Sequence, residues 1–154
     1  MKFELNLIET EKQFMSAYPL LVELAVIEAP ELARKMKPKL SWETYKRSKK
    51  EGYLLYAAQN SIEVYGIAGL RVLHDPFGVG IPYAIINNLI VEENFRSIGI
   101  GSAMIAKLEK IAKKSGCREI IINVLKANKK ARKTYEKIGY TNIADIMLKQ
   151  VKSK

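Results

Sequence analysis

At 154 residues, 48% of them apolar, the chain is long enough to bury most of its unfolded surface, and its single cysteine leaves no internal disulfide to rely on. That excludes a disordered chain and a disulfide scaffold. A formal net charge of +10 points to an anionic partner, and it is unevenly placed: residues 1–106 hold twelve Lys/Arg and twelve Asp/Glu, whereas residues 107–154 hold fourteen against four.

No window reaches the ~18 uninterrupted apolar residues of a membrane span. The richest, YPLLVELAVIEAP, is broken by Glu23 and Glu28, and MKFELNLIE lacks the long apolar core of a signal peptide. The expectation is a cytoplasmic protein with one domain over 1–154. Metal-ligand spacings are absent from the sequence.

KFELNLI alternates Phe3, Leu5 and Leu7 and reads as a strand. TEKQ at 10–13 is a capping box that starts a helix running through about Val26. PELARKMKP reads as a short helical turn, and Ser41 as the cap of a helix ending near Gly52. YLLYAAQ and EVYGIAGLRVL, joined at Asn60-Ser61, read as a β-hairpin. HDPFGVGIP is a loop and YAIINNLIV a third long strand.

Over 102–115, Met104, Ile105, Leu108, Ile111 and Ala112 form one helical apolar stripe, which Gly116 ends. REIIINVL is a continuous apolar run, the pattern of a strand covered on both faces. NKKARKTYEKIG is a last helix, capped by Asn128 and stopped by Gly139, and a terminal strand is expected around IMLKQV. A helix crossing between the 83–91 and 119–125 strands predicts that they run parallel. The class is α/β.

The loop RSIGIG stands between a strand and a helix. The first amides of that helix lack internal partners and sit at the positive end of its dipole, which makes an anion site. Gly99 and Gly101 let a pyrophosphate approach the backbone, and Arg96 stands one loop-width earlier. A glycine pair is also ordinary turn chemistry. Two named phosphate motifs fail: no Lys-Ser/Thr pair follows at Walker A spacing, and Met104 stands where G-x-G-x-x-G needs its third glycine.

LIVEENFRSIGIGSAMI resembles the acyl-CoA signature [RQ]-x-x-G-x-[GA] of the GNAT N-acetyltransferase superfamily, and NKKARKTYEKIGY resembles that family's N-x-x-A-x-x-x-Y-x-x-x-G-[FY] element. The resemblance covers about residues 52–140. It departs at Glu93, where proline is frequent, and at Ser97 and Ile98, where glycine and a basic residue are common. It implies a mixed, mostly antiparallel sheet flanked by helices, with one parallel pair splayed around the cofactor.

The resemblance further implies acetyl-CoA as acyl donor. The backbone of Leu89, Ile90 and Val91 would pair with the pantetheine arm. Arg96 and the loop and helix start, Ser97, Ile98, Gly99, Ile100, Gly101 and Ser102, would hold the pyrophosphate. Asn128 and Ala131 would line the groove, and Tyr135 would stand near the sulfur as general acid. Lys129 and Lys130 sit in a helix's first turn, where the dipole disfavours cations unless an anion such as a 3′-phosphate is near, and Lys130 joins the cofactor set.

The reaction implied is acetyl transfer to a primary amine of a small molecule or a protein, by direct attack in a ternary complex. Placement of the two reactants can supply several kcal/mol of such a barrier, up to ~7–11. The base is open among Glu28, Glu51, Glu92, Glu93 and His74, because Asn87 and Asn88 stand where several relatives carry a carboxylate. Cys117 reads as a small core residue, and Tyr18, Trp42 and Tyr45 as residues shaping the acceptor pocket.

The alternative is a non-catalytic module binding CoA or RNA through its basic half. RNA is the weaker partner, since only Tyr135 and Tyr140 interleave the lysines. The acceptor's identity, the acyl preference and the choice between monomer and homodimer stay open in the sequence.

Overall fold

The computed structural model describes residues 2–28, 41–74, 80–147 and 149. In chain order its elements are β1 (Glu4–Leu7), α1 (Glu11–Glu28), α2 (Trp42–Lys50), β2 (Tyr53–Gln59), β3 (Val64–His74) and β4 (Pro82–Val91). A 3-10 turn (Glu93–Phe95), α3 (Ile100–Lys114), β5 (Glu119–Ile122) and α4 (Lys129–Lys137) follow. The expected turn in PELARKMKP lies outside the described residues, as does the middle of the loop between His74 and Gly80.

Local chemistry sets most boundaries. At the head of α1, the Thr10 amide donates to Gln13 Oε1 (3.0 Å) and the Gln13 amide to Thr10 Oγ1 (3.3 Å). Ser41 Oγ accepts from the Thr44 amide at 3.1 Å and starts α2. Between β2 and β3, Asn60 Oδ1 accepts from the amides of Ile62 (2.7 Å) and Glu63 (2.9 Å), folding the hairpin turn around one side chain.

The five strands lie in the order β1-β2-β3-β4-β5, antiparallel until β4 meets β5 in parallel across the α3 crossover. Both sheet faces are covered. On one, Met104, Ile105, Leu108 and Ala112 of α3 share a buried cluster with Tyr56, Ala58, Leu70 and Ile86. On the other, Phe14, Ala17, Leu20 and Leu24 of α1 and Tyr45 of α2 share one with Leu55, Ala57, Ile67 and Ile90. Alternate residues of β2 therefore serve opposite cores, which is why Leu55, Tyr56, Ala57 and Ala58 are all buried.

The β3–β4 register slips between Ile67↔Ile90 and Gly69↔Asn87. One extra residue of β4 is accommodated there, with Asn88 in the left-handed region at φ +52°. Asparagine tolerates that conformation better than most residues. Pairing with β5 covers only Tyr83 to Ile86, and the last contact is Asn123 N to Ile86 O at 3.2 Å. Beyond that point the two parallel strands part.

One expectation is corrected. β5 stops at Ile122 and is only half-buried where it is covered at all, because its neighbour turns away at the bulge. Of the expected terminal strand around IMLKQV, Leu148, Gln150 and Val151 lie outside the described residues, and Ile146 and Met147 form no strand and are exposed.

One buried hydroxyl ties the N-terminal half together. Tyr45 Oη donates to Ile8 O at 3.0 Å and accepts from the Leu55 amide at 3.2 Å, linking α2, β2 and the end of β1. Tyr45→Phe would leave both backbone groups buried without that partner. Urea denaturation is expected to show a loss of about 1–3 kcal/mol.

Candidate active site

The loop after β4 is held from two sides. Arg96 Nε donates to Val91 O at 2.7 Å, and its guanidinium pairs with Glu23 of α1. Lys130, in the first turn of α4, donates through Nζ to Ser97 Oγ at 2.9 Å. Ser97 itself is left-handed at φ +67°, a strained state for serine. Gly99 follows at φ +91° as the cap of α3.

The first bond of α3 runs from Ala103 N to Gly99 O at 3.0 Å, so the amides of Ile100, Gly101 and Ser102 have no partner within the helix. Its first turn carries no acidic residue to offset the dipole. A Cβ on Gly99 would meet nothing within 4 Å, and one on Gly101 would make only ordinary contacts with Val91 and Leu89. Protein packing does not claim the space above this helix end. Open room, free amides and a nearby ammonium are what a phosphate group requires.

The bulge brings together residues distant in sequence. Asn88 Nδ2 donates to Glu28 Oε2 at 3.2 Å, while Asn88 Oδ1 accepts from Tyr53 Oη at 2.8 Å. Partial burial raises the Glu28 carboxyl, and the hydrogen bond from Asn88 opposes part of that rise. Burial also pushes the Tyr53 phenol well up, so it stays a donor. Gly69 makes room for this group, since a Cβ there would lie 2.3 Å from Tyr53 Oη and 2.6 Å from Asn87 Oδ1 and displace both side chains.

A cavity of about 390 Å³ opens beside Glu28, Asn88, Tyr53 and Arg71, walled by Phe14, Leu21, Leu24, Tyr45 and Leu55. A wider cleft of about 800 Å³ lies at β1 between Lys2, Gln59 and Lys107 and contains none of the predicted site residues. The 390 Å³ cavity is the one that adjoins the splay, and it is the relevant space.

Tyr135 is 8% exposed and belongs to the α3-side core with Ala84, Ile86, Ile100 and Met104. Burial raises its phenol. No described residue hydrogen-bonds its hydroxyl. Asn128 Oδ1 is engaged as the α4 cap, accepting from Ala131 N at 3.1 Å, and Ala131 packs against the same core.

The predicted residues thus divide. Ser97 to Ser102 and Lys130 converge on the helix end, and Leu89, Ile90 and Val91 form the part of β4 that β5 leaves unpaired. Arg96 turns back onto Val91 and Glu23 instead of facing open space. Of the candidate bases, Glu28, though exposed, bonds Asn88 at the splay, whereas Glu92 caps the 3-10 turn through the Asn94 amide (2.9 Å) and Glu51, Glu93 and His74 are exposed without such a bond. Tyr45 lines the cavity, while Trp42 and Tyr18 pack against Phe14 at 5.9 and 6.3 Å between ring centroids.

Sequence reasoning passed over Tyr53 and Arg71. Each reads as an ordinary strand residue until the register places Tyr53 opposite Arg71 on the face beneath α1. Cys117 is buried, as expected of a small core residue. Among the described residues no acidic, histidine or cysteine cluster could hold a metal ion, and no helix is long and apolar enough to cross a membrane.

The sequence matches the family described as Acetyltransferase (GNAT) family over residues 17–140. An acetyltransferase of Trypanosoma brucei is similar in structure with a TM-score of 0.73 at 21% identity, covering 97% of this chain and 100% of that one. An aminoglycoside acetyltransferase from an uncultured soil metagenomic sample, in complex with sisomicin, gives 0.76 at 17%, covering 99% and 96%. The aminoglycoside N-acetyltransferase AAC(6')-Iy, in complex with CoA, gives 0.72 at 14%, covering 97% and 100%.

At such identities the structural likeness is one of fold. No curated protein matches the sequence significantly. The family match spans the splayed strands, the glycine loop and the Tyr135 helix together, and the chain belongs to the GNAT acetyltransferase family.

Proposed function

We propose that the chain, as one cytoplasmic domain, is an acetyl-CoA-dependent N-acetyltransferase acting on a primary amine of a small molecule or a protein. The observation that carries this reading is the meeting at one strand break of an anion-ready helix end and a carboxylate beside a cavity. Acetyl-CoA supplies the acetyl group activated as a thioester.

The residues present fit that group. Amides of Ser97 through Ser102 would hold its pyrophosphate, with Ile98 flanking and Lys130 adding a charge that already reaches Ser97. The freed edge of Leu89, Ile90 and Val91 would receive the pantetheine arm as a further strand, with Asn128 and Ala131 along the groove. Arg96 would serve chiefly to fix the loop, through Val91 and Glu23.

Glu28 is the proposed base. Its raised pKa brings it nearer the working pH, where a carboxylate accepts a proton more effectively. Asn88 orients that carboxylate and Tyr53 orients Asn88. Tyr135 is the proposed acid, whose phenol is kept protonated by burial and gives its proton to the departing sulfur.

Three outcomes test the assignment. Wild type should release free thiol from acetyl-CoA with at least one amine of a broad panel. Tyr135→Phe should lower kcat by about 10²–10⁴ while CoA affinity in calorimetry persists. Thiol release from no amine would leave only a CoA- or RNA-binding module.

Gly99→Val forces a branched side chain into a left-handed position and into the space above the amides. CoA affinity should fall by at least ~10-fold, since bonds to a charged partner are lost. The strain, on the order of 1–2 kcal/mol, should leave the protein folded by circular dichroism. Unchanged affinity would refute the phosphate cradle.

For Glu28 the sign follows from its role. A base works deprotonated, so kcat/KM should rise with pH through a midpoint above the usual 4.5. Glu28→Gln should remove that limb and lower the plateau. A pH profile identical to wild type would shift the role to another group.

A further inference from the structure

We propose that the acceptor is a zwitterion, a primary amine with a carboxylate several bonds away, whose amine lies at Glu28 and whose carboxylate is held by Arg71. This rests on the acetyltransferase reading and names the substrate class of the same site. Glu28 and Arg71 line the cavity as its one acidic and one basic side chain, among mostly apolar walls.

Arg71 projects from β3 into this cavity, half-buried. Its guanidinium carbon stands 6.0 Å from the Tyr53 ring centroid. Nε is fully buried and finds no acceptor among the described residues. The ion pairs among the described residues are Lys46–Glu43, Lys49–Glu9 and Arg96–Glu23, and none involves Arg71. A half-buried guanidinium with no carboxylate partner among the described residues offers a ligand carboxylate a charge-assisted, fork-like set of donors.

Glu28 faces Asn88 and is the negative group available for an ammonium.

Strand geometry sets the spacing. Arg71 lies opposite Ile85, and Asn88 is three residues farther along β4. At ~3.3 Å per residue the backbone positions of Arg71 and Asn88, which holds Glu28, are roughly 8–10 Å apart. An extended chain of methylenes fits, lying against Phe14, Leu21, Leu24 and Leu55. A cavity of about 390 Å³ matches a small acceptor of this kind.

The test compares 6-aminohexanoate with hexylamine, which differ by the carboxylate. Calorimetric titration of each, with and without CoA, gives affinities independent of turnover, and thiol release from acetyl-CoA gives kcat/KM. Wild type should favour the amino acid by roughly 10- to 100-fold in both measurements. Arg71→Met should collapse that ratio towards one, chiefly through KM, and Arg71→Lys should retain part of it. Circular dichroism and melting verify that each variant is folded.

Equal affinity for the two amines in wild type, binding of neither, or a ratio unchanged in Arg71→Met would overturn the proposal. Turnover of both amines at equal kcat/KM would sink the carboxylate subsite and leave the acetyltransferase. An Arg71-dependent preference in binding without thiol release would uphold the subsite and sink acetyl transfer.

Discussion

The structure depends on one interruption of hydrogen bonding. β4 keeps its parallel partner through Ile86 and then loses it, because the extra residue at Asn88 turns the strand away. A continuous ladder would satisfy every backbone group of β4 and leave nothing to recognise an extended ligand. The break creates an unpaired edge in the middle of a sheet, shielded by helices from other chains. It also places the start of α3 beside that edge, since the loop after Val91 must return across the gap.

The cost of the break is spread over its surroundings. Asn88 adopts a left-handed conformation and is held there by bonds to Glu28 and Tyr53. Gly69 lacks a side chain because Tyr53 and Asn87 occupy its space. Gly66 is required for a similar reason, since its Cβ would lie 2.8 Å from Ile90 O and 3.0 Å from Met104 Sδ. The two glycines of β3 thus let the sheet bend under the bulge with α3 packed close above it.

Much of this was legible in the residues. Capping at Thr10, Ser41 and Asn128, glycine stops at Gly116 and Gly139, and the period of the α3 stripe each depend on neighbours within a few positions. Periodicity and turn chemistry therefore place them. The glycine loop could be read as an anion site because helix ends have the same orphan amides in any fold.

Pairings that arise only from register could not be read. Nothing in YLLYAAQ distinguishes Tyr53 from Tyr56, yet one joins the Asn88–Glu28 chain and the other the opposite core. The direction of Arg96 depended on where Glu23 of α1 would fall, a tertiary fact.

The bond between Arg96 and Glu23 has one more effect. Glu23 and Glu28 lie on the same helix, separated by about one and a half turns. The loop that would grip the nucleotide end of the donor and the carboxylate that would meet the amine are therefore fastened to a single rigid rod. A half-exposed ion pair is a weak tether, worth about 0–1 kcal/mol, so it can be exchanged at little expense. Any phosphate that drew the guanidinium off its glutamate would free the rod at that point.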